Sequence, residues 1–105
     1  MRRSRRAEAL ALLGLARRAG AVVKGTEATR EALRRGEALL VLVAEDGSDA
    51  QTQKILPLAE AREVPVEVLG PRNELGGAVG SGPLTAMAVT QSSFAEQVRV
   101  RLGRE

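Results

Sequence analysis

Residues 39–44, Leu-Leu-Val-Leu-Val-Ala, form an apolar run with no polar alternation. A strand with one wet face alternates. A short uninterrupted run belongs to a strand buried on both faces, as in the middle of a sheet covered by helices on either side.

The rest of the chain supplies those helices. Residues 5–19 predict a helix in which Leu12, Leu15, Ala16 and Ala19 follow the i, i+3, i+4, i+7 spacing, with Leu10 and Leu13 broadening the apolar face. Arg17 and Arg18 fall in its last turn, where cations suit the helix dipole, and Gly20 is placed to end it. Residues 21–23 read as a short strand. A second helix is expected over 26–35, with Ala28, Ala32 and Leu33 inward and Gly36 as its stop. After the 39–44 strand come a loop at Glu45–Ser48 and a helix over 49–62, with Ile55, Leu58, Ala59 and Arg62 at helical spacing. Pro57 lies inside that segment and is expected to kink it or mark a boundary. Residues 65–69 form a further strand, 72–79 a short helix, 86–90 a third buried strand and 94–102 the closing helix. Strands and helices alternate through short connections. The expected fold is α/β: a single-domain, three-layer α/β/α sandwich around a small mixed sheet of about four strands. Residues 1–5 and 103–105 are expected to fray.

At 105 residues the length suits one core. The start, with arginines before an apolar stretch, invites a signal-peptide reading. Gly14 interrupts that stretch, Arg17 and Arg18 follow it at once, and its periodicity is helical, so it reads as the first helix of a domain. No apolar run approaches a membrane span. The absence of cysteine removes disulfides and thiolate metal sites and fits a reducing, cytoplasmic setting.

The net charge of +3 conceals an asymmetry. Residues 1–36 carry ten cations against three acids, whereas residues 37–105 carry six against ten. Fourteen of the sixteen cations are arginine, whose planar fork of donors suits phosphate. A one-sided basic field is the electrostatic footprint of nucleic-acid binding, and also of a solvated arginine-rich surface. Histidine, cysteine, tyrosine and tryptophan are all absent, which removes the commonest general base and the usual transition-metal ligands. Glu45, Asp46 and Asp49 offer oxygen ligands of the kind Mg²⁺ prefers. The plainer reading is that Ser48 or Asp49 caps the next helix. Residues 76–82, Gly-Gly-Ala-Val-Gly-Ser-Gly, lack the Gly-Lys-Ser/Thr ending of a nucleotide loop and end a helix rather than begin one. Neither catalysis, a cofactor nor a metal is implied. With Phe94 as the one aromatic residue, no stacking platform for single strands can be built. Any RNA must be held through phosphates and the shape of a structured element, for which the amides at a helix N-terminus are suited.

The segments 12–20, 24–36 (Lys-Gly-Thr-Glu-Ala-Thr-Arg-Glu-Ala-Leu-Arg-Arg-Gly), 39–46, 64–70, 73–80 and 86–90 resemble, in order, the kink-turn-binding ribosomal-protein family, and most of all its bacterial YlxQ-like branch. Glu74-Leu75-Gly76 with Ala78 and Gly80 is the most specific piece. The resemblance spans about residues 10–95 and implies the same α/β/α sandwich. It also implies RNA binding where the helix after the first strand begins, with a loop before the last strand closing over a protruding nucleotide. Lys24, Gly25 and Thr26 match the first loop as they stand. Where the family pattern continues with an amide or lysine, a Glu or Gln, and a lysine three positions later, this chain has Glu27, Ala28 and Glu31. Arg30 and Arg34, four apart on one face, are positioned to replace the missing cations. Ser81, Gly82, Pro83 and Leu84 correspond to the second loop, with Pro83 and Leu84 apolar enough to pack on a flipped base. The expected partner is a structured RNA, ribosomal RNA among the candidates, bound by a non-catalytic monomer. The alternative is a protein-interaction module on the same fold that has lost kink-turn readout.

Overall fold

The computed structural model describes residues 4–104. In chain order the elements are α1 (Arg5–Arg18), β1 (Val22–Lys24), α2 (Thr26–Arg34), β2 (Leu40–Val43), α3 (Asp49–Ala61), β3 (Val66–Val68), α4 (Arg72–Ala78), β4 (Ala86–Val89) and α5 (Ser92–Arg101). The four strands form one mixed sheet in the order β1-β4-β2-β3. β4 runs antiparallel to both β1 and β2, and β2 pairs with β3 in parallel.

The apolar run at 39–44 is explained by what covers each face. Leu40 and Leu42, with Met87 and Val89, pack beneath Ala9, Leu12 and Leu13 of α1, Leu75 of α4, and Ala95 and Val98 of α5. Val41 and Val43, with Ala86 and Ala88, pack beneath Ala32 and Leu33 of α2 and Ile55 and Ala59 of α3. Alternate side chains of a strand point to opposite faces, so both phases of β2 must be apolar. The result is the expected α/β/α sandwich.

Two expected helix faces are rotated. On α1 the buried stripe is Ala9, Leu12, Leu13 and Ala16, while Leu15 is 54% exposed and Ala19 is also outside. Leu13 and Leu15 lie about 200° apart around the axis, so the sheet can take only one of them. On α2 the inward residue of the first turn is Thr29, fully buried with Ala32 and Leu33, and Ala28 is only half-buried. Pro57 does not end α3, which runs on to Ala61. The missing amide deprives only the carbonyl of Gln53, an exposed residue that water can serve. α5 starts two residues earlier than expected, at Ser92.

Among the ends expected to fray, residues 1–3 and 105 lie outside the described residues. Ser4 caps α1, its hydroxyl accepting from the Ala7 amide at 3.0 Å, so Arg5 and Arg6 belong to the first helical turn. Arg104 reaches Glu67 on β3 at 3.2 Å. Among the described residues no helix is long and apolar enough to cross a membrane.

The segment after α4 folds back onto that helix. A Cβ on Gly76 would lie 1.9 Å from the Gly82 carbonyl oxygen and 2.8 Å from its carbon, whereas one on Gly77 would meet nothing within 4 Å. Gly76→Ala must therefore displace backbone and should lower unfolding stability by about 2 kcal/mol or more. Gly77→Ala adds a better helix former in open space and should raise it by about 0.5–1 kcal/mol. Chemical denaturation of the two variants checks the pair; equal effects at both positions contradict the packing described.

Candidate nucleic-acid interface

The pairing of β4 determines what shares a surface. The carboxyl ends of β1 and β2 meet the start of β4, with Lys24 opposite Met87 and Val43 opposite Ala86. The Gly25 amide donates to the Ala86 carbonyl at 2.9 Å, and the Ala44 amide donates to the Thr85 carbonyl at 2.8 Å. The first expected loop, Lys24–Thr26, and the second, Ser81–Leu84, are thereby fixed at one end of the sheet.

Gly25 is the N-cap of α2, with φ 97° and ψ 163°. That region is essentially restricted to glycine, since a Cβ there meets its own backbone. A side chain would meet no neighbour within 4 Å, so the space over the helix mouth is open. Gly25 supplies no capping side chain. Its carbonyl accepts from the Thr29 amide at 3.0 Å, and the earlier amides of the first turn remain at the mouth. Thr26 donates its hydroxyl to the Gln51 side-chain oxygen at 2.8 Å, tying the mouth to α3.

The charges sort themselves along α2. The Glu27 side chain is 71% exposed at the mouth, and both of its oxygens accept from one terminal nitrogen of Arg30 at 3.2 Å. Arg30 is mostly buried, and its Nε has no partner. Glu31 is shared by Arg34 at 3.7 Å and Arg35 at 2.8 Å. Arg34 lies eight residues beyond Thr26, about 12 Å along the axis, and does not share the mouth. Residues 24–36 carry four cations against two acids. At the mouth itself Lys24 and Arg30 stand against Glu27, and Lys24 is exposed with no ion pair among the described residues.

The second loop is ordered by backbone contacts. The Ser81 amide donates to the Gly76 carbonyl at 2.9 Å and the Leu84 amide to the Arg72 carbonyl at 3.1 Å. Gly82 and Pro83 are exposed, Ser81 is half-buried, and Leu84 leans on the core beneath α1 and α4. The loop thus presents one apolar ring outward from an anchored base.

Several residues that build this end were not legible as such. Gln51 holds Thr26 from α3. Asp46 accepts from the Arg72 amide at 2.8 Å and so caps α4, whose own N-cap is Pro71. Ser48, one of the two caps expected from the sequence, does cap α3, accepting from the Gln51 amide at 3.2 Å. With Asp46 so engaged, Glu45, Asp46 and Asp49 do not converge, and among the described residues no group of three acids could hold a metal. Gly76 receives the second loop. Gln51 and Asp46 act across long sequence separations, where local pattern carries no signal.

The fold and this two-loop end define a class, the small α/β/α proteins built like ribosomal proteins. The chain belongs to the ribosomal protein L7Ae/L30e/S12e/Gadd45 family, whose model matches residues 7–99. It is 34% identical over 87 residues to the RNA-binding protein YlxQ of Bacillus subtilis (strain 168), covering 83% of this chain and 87% of that protein. Among solved structures it is similar to a protein of unknown function from Bacillus halodurans C, at TM-score 0.86 and 29% identity over 91% of this chain and 97% of the other. It also resembles the Giardia lamblia 15.5kD RNA binding protein, at TM-score 0.76 and 25% identity over 98% and 89% of the two chains.

Gly25→Ala forces an alanine into the glycine-only region and should cost about 1–3 kcal/mol with the fold retained, since nothing crowds the new methyl. Thermal unfolding followed by circular dichroism checks it. An unchanged midpoint contradicts the backbone geometry at the mouth.

Proposed function

We propose that this protein is a non-catalytic RNA-binding protein that docks a structured, kink-turn-like RNA through the mouth of α2 and the loop before β4. The observation that carries the reading is the hydrogen bond from Gly25 to Ala86, which holds Lys24–Thr26 and Ser81–Leu84 at one end of the sheet. Two similar proteins, from Bacillus subtilis and Giardia lamblia, are named as RNA-binding, which supports the same partner class.

Each part has a physical task. The free amides of α2 and the positive end of its dipole attract a phosphate, Gly25 lets the backbone approach, and Lys24 adds charge. Pro83 and Leu84 offer an apolar edge to an unstacked base. Arg30 acts from the second turn, and Arg34 meets phosphates farther along the helix. Glu27 is compatible with this arrangement because an acid in the first turn is favoured by the same dipole, and Arg30 holds it aside. The protein works as a monomer in the cytoplasm, on ribosomal or other folded RNA.

A second reading has its own observation. Glu27 is exposed at the mouth, and Arg30, Arg34 and Arg35 are already paired with acids. That pattern suits a protein partner in place of RNA. Co-purification with and without nuclease separates the two, since only a protein partner survives the treatment.

Binding of a kink-turn hairpin RNA should weaken steeply with salt and exceed binding to a fully paired duplex of equal length. Lys24→Glu should lower affinity about tenfold or more at low salt, and Arg30→Glu with Arg34→Glu should weaken binding to every RNA tested. Fluorescence anisotropy over a salt series gives the answer. Unaltered affinity in both variants removes this proposal.

A further inference from the structure

A second group of arginines lies outside the mouth. Arg17 and Arg18, in the last turn of α1, border a groove of about 330 Å³ whose other side is formed by Gly77, Ala78 and Gly80. The groove exists because α1 and α4 approach closely: a Cβ on Gly14 would sit 3.0 Å from the Ala78 carbonyl oxygen. Its floor at Gly77 is open.

The arginine here differs from those on α2. Arg30, Arg34 and Arg35 each have an acid within ion-pair distance, whereas among the described residues neither Arg17 nor Arg18 has one. Glu8, the one acid on α1, is engaged by Arg101 of α5, and Glu74 of α4 by Arg6. The Arg17 guanidinium lies over Gly80. Its central carbon and both terminal nitrogens lie 3.3–3.4 Å from the position a Gly80 Cβ would take. Three nearly equal distances mean that the guanidinium plane faces Gly80, leaving its donor-bearing edges directed sideways. Gly80 immediately precedes Ser81–Leu84, the second loop of the proposed RNA surface, and that loop is folded back on Gly76 of the same helix. The groove lies at the far ends of α1 and α4, and the Ser81–Leu84 segment links it to the end of the sheet where RNA is proposed to dock.

We infer that the groove between α1 and α4 is a second phosphodiester site, with Arg17 and Arg18 as its cations, for the backbone of the RNA that enters the mouth. The inference rests on the RNA-binding reading. A nucleic-acid backbone leaving the second loop runs onto Gly80, meets no Cβ at Gly77 or Gly80, and finds two guanidinium groups with uncommitted donors. Planar forks of this kind match phosphate oxygens in pairs. The arrangement also explains why the basic charge of the chain gathers in residues 1–36 although the α2 arginines are internally paired. The segregated charge is used by α1.

The test uses the full chain and two probes, a kink-turn hairpin RNA with extended stems and inorganic phosphate. For the RNA, the slope of log affinity against log salt should flatten by about one for each arginine removed, hence by about two in Arg17→Gln with Arg18→Gln. The paired Lys variants, which keep the charge, should retain the wild-type slope, and the melting temperature of each protein checks that folding is preserved. Inorganic phosphate at matched ionic strength should leave the Gly77 and Gly80 amide resonances unshifted, because a single free anion lacks the anchoring at the mouth. A wild-type slope in the Gln pair overturns the groove while leaving the mouth intact. Saturation of the groove by phosphate with no change in the RNA slope assigns it to a free anion and overturns the inference. If the wild type binds no RNA, the mouth falls first and the groove with it.

Discussion

β4 lies between β1 and β2 and runs against both, and the rest of the molecule is organised by that pairing. It makes β1 and β2 parallel neighbours once removed, so that the helices following them, α2 and α3, start at the same end and lie on the same face. It also brings the segment entering β4 to that end, where Gly25 and Ala44 donate to the carbonyls of Ala86 and Thr85. Two loops separated by more than fifty residues thus become one surface through two backbone hydrogen bonds. Neither loop needs a rigid sequence of its own, because the sheet supplies the rigidity.

The charge arrangement at this end is a contest between weak terms. Exposed pairs such as Glu31 with Arg35 contribute little to stability in water, about 0–1 kcal/mol, and can be rearranged when a stronger partner arrives. The amides and dipole of a helix mouth are fixed in place and cannot be screened away by a side-chain rotation. A polyanion meeting α2 therefore encounters permanent donors and movable acids. The buried Arg30 Nε, left without a partner, shows that this side chain is held by packing more than by its ion pair. The same reasoning separates α2 from α1, whose last-turn arginines have no acid partner among the described residues.

Much of this architecture was legible in the sequence, and the exceptions have physical causes. The apolar run at 39–44 required cover on both faces, and the two helical layers provide it. Gly20 and Gly36 ended helices as expected, but α3 ends at Ala61 and is followed by Glu63, a non-glycine residue with φ 56°, where composition gives no signal. The face of α1 was misphased because several apolar residues competed for one stripe, whereas on α2 the buried first-turn residue is Thr29, a hydroxyl side chain that an apolar pattern does not pick out. Lys24, Gly25 and Thr26 could be placed because glycine and a helix start leave a local mark. The roles of Gln51 and Asp46 could not, since each acts across the fold on a residue about 25 positions away in sequence. The departure at Glu27, Ala28 and Glu31 was visible in sequence, while its consequence, acids pinned by neighbouring arginines, needed the structure.

The most direct test of the central claim is an amide chemical-shift titration with a kink-turn hairpin RNA. If the two loops are one surface, resonances of residues 24–28 and 81–85 move together and fit a single dissociation constant. Shifts confined to one of the two segments, or centred on the β3 edge and α5, contradict the account.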